Sequence, residues 1–261
     1  MADEIKDEPD RVISSHDFIS ELANYPVVNR VATGIKGLDD LVDGFGEGEL
    51  ILISGKSGQG KTTLAQNFVM HLGNQGIHSL FFSYEVPNRQ LVKKFVQPIP
   101  LFYMPRTLPY KSIEWMEKKI LEAKSKFGVK AVVIDHLHYI IDLKLSAQYN
   151  ISTMLGAMVR DFKTLARRHG LIIFVLCHLA KITTERRPTM DDVRDSSLIA
   201  GEADTVILIH RTGNKRSKKN PDAEFIFADN TSMLYVDKAR WTGNLGRVQL
   251  AFENGEFREL G

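Results

Sequence analysis

The chain has 261 residues, 43% hydrophobic and 25% charged, and its 34 basic and 32 acidic side chains leave a net charge of +2. This composition excludes a mainly disordered chain, and the length suffices to bury the core of one α/β domain. The longest apolar runs, such as Leu171 to Cys177, fall far short of the roughly 20 residues that cross a bilayer. With charge so balanced, a nucleic-acid partner has to be read from local clusters.

The opening MADEIKDEPD is acidic and lacks the basic and then apolar regions of a secretory signal, so a cytoplasmic protein is expected, or one of the host cytoplasm if viral, with no membrane partner. Cys177, the single cysteine, cannot form an internal disulfide, in keeping with a reducing compartment. Residues 1–30 read as an acidic tail and a short helix from Ser15 to Tyr25, with Phe18, Ile19 and Leu22 on one face. That helix has no partner within its own segment, and either the chain's own core or a neighbouring subunit could cover it.

Residues 31–261 read as one domain. Leu50 to Ile53, Ser79 to Ser83, Ala131 to Ile134, Leu171 to Leu176 and Thr205 to Ile209 are short apolar runs that predict buried strands. Helices lie between them: Lys61 to Leu72 and Ile151 to His169 carry apolar residues at helical spacing. Alternating strands and helices predict a mostly parallel sheet with functional groups at the carboxyl ends of its strands. Gly213 to Asn230 is a long polar segment that reads as a loop, and Met233 to Asp237 with Arg247 to Phe252 reads as an antiparallel hairpin.

The strongest chemical signal is Gly55-Lys56-Ser57-Gly58-Gln59-Gly60-Lys61-Thr62, which follows a strand and opens a helix as G-x-x-x-x-G-K-[ST] requires. Its glycines let backbone N–H groups wrap phosphates at the positive helix end, Lys61 supplies charge, and Thr62 offers a hydroxyl to Mg²⁺. The nucleotide-binding set is therefore Gly55, Ser57, Gly58, Gln59, Gly60, Lys61, Thr62 and Thr63, with ATP or another NTP as substrate. Asp135 ends the run Ala-Val-Val-Ile-Asp and is the expected carboxylate on the metal side, with Thr62. Glu85, just past another strand, is the candidate general base for hydrolysis.

Other constellations are weaker. His136 and His138 suggest a metal pair but lack a third ligand, and Cys177 and His178 are neighbours on a strand and point to opposite faces, which rules out a nucleophile-base pair. Two basic clusters, Lys181 with Arg186 and Arg187, and Lys215, Arg216, Lys218 and Lys219, read most simply as solvated loop charge.

With these residues in hand the chain resembles the RecA-like motor domain of DnaB-type hexameric replicative helicases, especially the helicase half of phage primase-helicases and mitochondrial Twinkle. The resemblance spans about Thr33 to Leu260. Ser83-Tyr84-Glu85 is similar to the family's strand ending in the catalytic glutamate, and Ile134-Asp135-His136-Leu137 to its Walker B strand. Val175 to Leu179 resembles the strand whose last polar residue, here His178, senses the γ-phosphate. Asp192 to Ile199 with Ala203-Asp204 resembles a segment near the central channel, with Asp195 and Ser197 where the family has glycines. Val236-Asp237-Lys238-Ala239-Arg240-Trp241-Thr242-Gly243 resembles the hairpin that lends a lysine and an arginine finger to a neighbour's nucleotide.

The resemblance implies a homo-oligomeric ring, hexameric in the family, in which Lys238 and Arg240 act on the adjacent subunit. It implies single-stranded and forked DNA as partners, held by Lys181, Arg186, Arg187 and Arg194, and primase or another replisome protein as a further partner. Family members carry an N-terminal primase or helical collar domain where this chain has about 30 residues, so a motor standing alone or a piece of a longer protein is expected. The opening Thr33-Gly34-Ile35-Lys36-Gly37-Leu38-Asp39 also suits RecA-like recombinases, mediators or clock-type regulators. A nucleotide-gated loader stands as a third reading.

Overall fold

The computed structural model describes residues 12–22, 30–109, 112–140, 150–179, 186–193, 196–211 and 230–260. Among them the chain forms helices α1 (Ser15–Leu22), α2 (Lys36–Val42), α3 (Lys61–Asn74), α4 (Asn88–Lys93), α5 (Ile113–Phe127), α6 (Ile151–His169) and α7 (Ser196–Glu202). The strands are β1 (Leu50–Gly55), β2 (Ser79–Ser83), β3 (Ala131–Asp135), β4 (Ile172–His178), β5 (Thr205–Arg211), β6 (Thr231–Ala239), β7 (Gly246–Glu253) and β8 (Glu256–Glu259). They join in one sheet of order β2-β3-β4-β1-β5-β6-β7-β8, parallel from β2 to β5 and antiparallel from β5 to β8.

Alternation of side chains along each strand sends neighbours to opposite faces, and both faces are covered. Leu50 and Leu52 of β1 join Phe82, Ile134 and Val175 beneath α5 and α6, whereas Ile51 and Ile53 join Phe81, Val133 and Phe174 beneath α2 and α3. On the second face Phe45, Phe68 and Phe174 meet edge to face at 5.0–5.1 Å or stacked at 5.7 Å. Each such ring buried from water contributes about 1.5–3 kcal/mol.

Helix α6 ends where the sequence predicts. Asn150 caps it by accepting from the Ser152 N–H at 2.8 Å, and Gly170 closes it with φ 59°. Its buried residues Leu155, Val159, Phe162 and Ala166 repeat at three to four positions, the stripe that packs on the sheet. Helix α5 is built the same way, with Ser112 accepting from the Trp115 N–H, Met116, Ile120 and Ala123 inward, and Gly128 closing it. The predicted hairpin is β6–β7, and a further strand, β8, follows through a two-residue Asn254-Gly255 turn with φ values of 52° and 91°.

The first helix is described only to Leu22. Phe18 and Ile19 are exposed, so the described part of this chain's own core does not cover it.

Candidate nucleotide and hydrolysis site

The phosphate loop leaves β1 at Gly55 and enters α3 at Lys61. Gly60 has φ 96°, a left-handed conformation that only glycine adopts without strain, and a Cβ there would lie 2.7 Å from the ring of Phe257. The loop therefore needs glycine for both backbone shape and space. The Lys61 ammonium turns back inside it, donating to the carbonyls of Gly55 and Lys56, each at 3.0 Å, and lies 3.2 Å from His178 Nδ1. Burial pulls the Lys61 pKa down, while the charges of Glu85 and Asp135 oppose the shift.

Beside the loop, Thr62 Oγ1 donates to Asp135 Oδ2 at 2.9 Å, and the Asp135 carboxylate is fully buried at the end of β3. Glu85 sits beyond the end of β2, where its backbone N–H donates to the Asp135 carbonyl at 3.2 Å. Because β2, β3, β4 and β1 are adjacent and parallel, Glu85, Asp135, His178 and Lys61 emerge at one edge of the sheet. A cavity of about 260 Å³ opens there, lined by Gly58, Lys61, Thr62, Glu85, Lys94 and His178 among others. The fold thus brings together the nucleotide set and the cis catalytic residues expected from the sequence.

Three neighbours of this site carry no motif that singles them out in the sequence. Lys94, at the end of α4, lines the phosphate cavity. Arg211 and Phe252 flank an adjoining cavity of about 140 Å³, together with Gly58, Gln59, Gly60, Thr63, Ser232 and Phe257. The available signal is positional: Arg211 ends a parallel strand, as the other site residues do, and its N–H donates to Gln59 Oε1 at 3.3 Å. A larger cavity of about 580 Å³ lies against α5, among Leu80, Tyr103, Trp115 and Phe127, and contains none of these groups.

Glu85, His136 and His178 each offer one ligand atom within 4.8 Å of the others, a cluster that leaves out His138. His136 Nδ1 nevertheless faces carboxylate oxygens of both Asp135 and Glu85 at 3.0 Å, an arrangement for a proton rather than a metal lone-pair bond. Cys177 is fully buried on the opposite face from His178, and burial pushes its thiol up to about 12, so the two form no nucleophile-base pair.

Lys238 and Arg240 stand apart from this centre. Ala239 pairs with Thr205 at the start of β5, whose far end, Arg211, adjoins the phosphate loop. Seven residues at about 3.3 Å each put roughly 20 Å between Arg240 and its own loop. Lys238 Nζ donates to the carbonyls of Ala200 and Gly201 at 3.0 and 2.7 Å, and Arg240 pairs with Asp204 at 3.3 Å.

Of the predicted DNA-contacting set, the two described residues are each paired with a carboxylate. Arg186 forms a two-pronged pair with Asp192, and Arg187 pairs with Asp237 while its guanidinium lies 4.5 Å over Tyr235. Lys181, Arg194 and the Lys215 to Lys219 cluster lie outside the described residues.

A sheet in which a glycine loop joins β1 to α3, with a buried carboxylate two strands away, defines a P-loop nucleotide-binding protein with a RecA-like core. Residues 102–259 match the family described as DnaB-like helicase C terminal domain, and residues 31–97 match the family described as ATPase, KaiC. The chain belongs to the DnaB-like helicase C-terminal domain family. It is 29% identical over 269 residues to the replicative DNA helicase DnaB of Mycoplasma pneumoniae, covering 87% of this chain and 56% of that protein. The DnaB of Geobacillus stearothermophilus is 25% identical over 283 residues, covering 95% and 60%.

The chain thus spans about half the length of the curated relatives it matches. In fold it is similar to a solved structure described as an ATPase domain, with TM-score 0.75 at 20% identity, over 94% of this chain and 97% of that one. A DnaB-like replicative helicase, described with its interactions with primase, gives the same TM-score and identity over 97% and 68%.

Proposed function

We propose that this domain is the nucleotide-hydrolysing motor of a ring-shaped DNA helicase that moves on single-stranded DNA and unwinds forked duplex during replication. The observation that supports the reading is the separation of Arg240 from the phosphate loop. Lys61, Thr62, Asp135, Glu85 and His178 share one edge of the sheet, while Arg240 stands about 20 Å away, out of reach of a nucleotide in its own loop and so suited to serve a neighbour's. A head-to-tail ring, hexameric by family, gives every site both halves. The name replicative DNA helicase carried by the relatives points the same way.

In this reading Lys61 and the loop N–H groups bind the β- and γ-phosphates, and Arg211 with Phe252 receives the base in the adjoining slot. Thr62 and Asp135 present hard oxygen donors that already meet at 2.9 Å, a set that fits Mg²⁺. When bound, that ion neutralises charge on the phosphate oxygens. Glu85 takes a proton from the attacking water, the new oxygen–phosphorus bond forms as the bond to the β–γ bridging oxygen breaks, and the diphosphate leaves with that electron pair. His178, beside Lys61, contacts the γ-phosphate and reports its loss to β4.

DNA would be held by backbone phosphate contacts that are independent of sequence. Arg186 and Arg187 can take part once phosphate replaces Asp192 and Asp237 as their partners. Primase is proposed as a partner from the structural relative described with it.

The test is strand displacement on forked DNA, with Lys61→Ala and Arg240→Ala as controls and the assembly mass measured with and without nucleotide. Loss of unwinding in both variants supports the helicase. DNA-stimulated hydrolysis without displacement in any assembly state favours a recombination mediator or regulatory ATPase, for which the KaiC match over residues 31–97 is the specific support.

A further inference from the structure

His136 follows Asp135 at the end of β3 and is fully buried. Its Nδ1 lies 3.0 Å from Asp135 Oδ1 and 3.0 Å from Glu85 Oε2. Two carboxylate oxygens can converge on one ring nitrogen only if it carries a proton, so the tautomer with hydrogen on Nδ1 is the one the site selects. The ring stacks on His178 at 3.8 Å with 26° between planes, while Nε2 has no hydrogen-bond partner among the described residues. A buried imidazole that leaves one nitrogen unsatisfied forgoes part of its stability for what the other nitrogen does.

That other nitrogen joins two carboxylates with different work. Asp135 is fixed by burial and by Thr62. Glu85 is on a turn beyond β2, and its side chain is 29% exposed, so its carboxylate has freedom that Asp135 lacks. A base that wanders from its line of attack loses rate steeply.

We propose that His136 is a positioning residue for hydrolysis. Its Nδ1–H, fixed on Asp135, holds the Glu85 carboxylate toward the attacking water. The inference rests on the reading of Glu85 as the general base. His136 is fully buried behind Glu85 and His178, which line the phosphate cavity in its place, so it acts on the rate of hydrolysis and not on nucleotide affinity.

Two substitutions separate the donor from the ring. His136→Phe keeps the buried, stacked ring and removes the Nδ1–H. His136→Asn places an amide N–H where Nδ1 stood and removes the ring. The measurements are kcat and KM for ATP hydrolysis by the assembled protein, the Kd of a non-hydrolysable ATP analogue, and thermal melting of each variant.

His136→Phe is expected to lower kcat about 10–100-fold, as loss of a supporting hydrogen bond does at comparable sites, with the analogue Kd unchanged. His136→Asn is expected to recover kcat to within about threefold of the unmodified protein, even if it melts lower. In a Glu85→Gln background, His136→Phe is expected to add no further loss, because the group it positions is gone.

Equal loss of kcat in the Phe and Asn variants overturns the proposal, as does an additive loss in the Glu85→Gln background or an effect confined to KM. If Glu85→Gln alone leaves kcat unchanged, the general-base reading fails first and takes this inference with it. A normal Glu85→Gln loss with non-selective His136 variants sinks the positioning role alone.

Discussion

Replacing Arg240 by alanine separates structural from catalytic cost unusually well. The guanidinium is 48% exposed and its Asp204 contact is 3.3 Å long, so the ion pair contributes at most about 1 kcal/mol to folding. Asp204 keeps its stronger partners, Lys163 and the Leu50 N–H at 2.8 Å, so the fold survives the change. An arginine that stabilises charge in a neighbour's phosphoryl transfer is worth about 10³–10⁵ in rate, or about 4–7 kcal/mol.

The assay is ATP turnover per site across a wide range of protein concentration, with analogue binding measured in parallel. Arg240→Ala is expected to bind analogue normally and to lose at least about a thousandfold in kcat. Mixed with Lys61→Ala, it regains hydrolysis at interfaces that pair an intact loop with an intact finger, about a quarter of those in a random one-to-one ring with head-to-tail contacts. Arg240→Ala activity within about tenfold of the unmodified protein would refute the reasoning, since no group of that kind then acts in the transition state.

Three further outcomes follow from particular contacts. Phe252→Ala opens one wall of the slot beside the loop and is expected to raise KM for ATP about tenfold with little change in kcat, as loss of a stacking face costs about 1–3 kcal/mol; a steady-state saturation curve checks it. Asp204→Ala strands the buried Lys163 ammonium and the Leu50 N–H, a loss of about 3–5 kcal/mol that should lower Tm by about 10 °C in a calorimetric scan. Because burial raises the Cys177 pKa to about 12, the thiol stays protonated well above neutrality, and iodoacetamide at about pH 8 should label it only after denaturation, as mass spectrometry would show.

What can be read from the chain is what is local. The phosphate loop is contiguous, so residues 55–62 announce both shape and chemistry, and Asp135 and Glu85 are legible because carboxyl ends of parallel strands share an edge. The slot between Arg211 and Phe252 is not legible, since Gln59, Arg211 and Phe252 meet across some of the longest separations in the chain. The Asn254-Gly255 turn carries a strong hairpin signal, but the strand after it has only four residues, too few to show an alternating pattern of its own.

The pairing of charges is legible only in part, for a physical reason. Arg186 and Arg187 look free in a local window, but their carboxylate partners stand at residues 192 and 237, and only folding brings Asp237 within reach. The trans assignment of Arg240 has no geometric content until the register of β5 against β6 sets it at the wrong end of the sheet for its own nucleotide.

That register has a mechanical side. Asp204 accepts from the first amide of β1, the strand whose last residue starts the phosphate loop, and the same aspartate holds Arg240. Close-packed parallel strands resist stretching and bending, so in the proposed motor a push on the loop would reach Arg240 as a displacement rather than be lost as strain. If such domains stand in a circle as proposed, they would be struts in series, each with its own fuel at one tip and its neighbour's at the other, and the order of firing would be a property of the ring rather than of any one subunit.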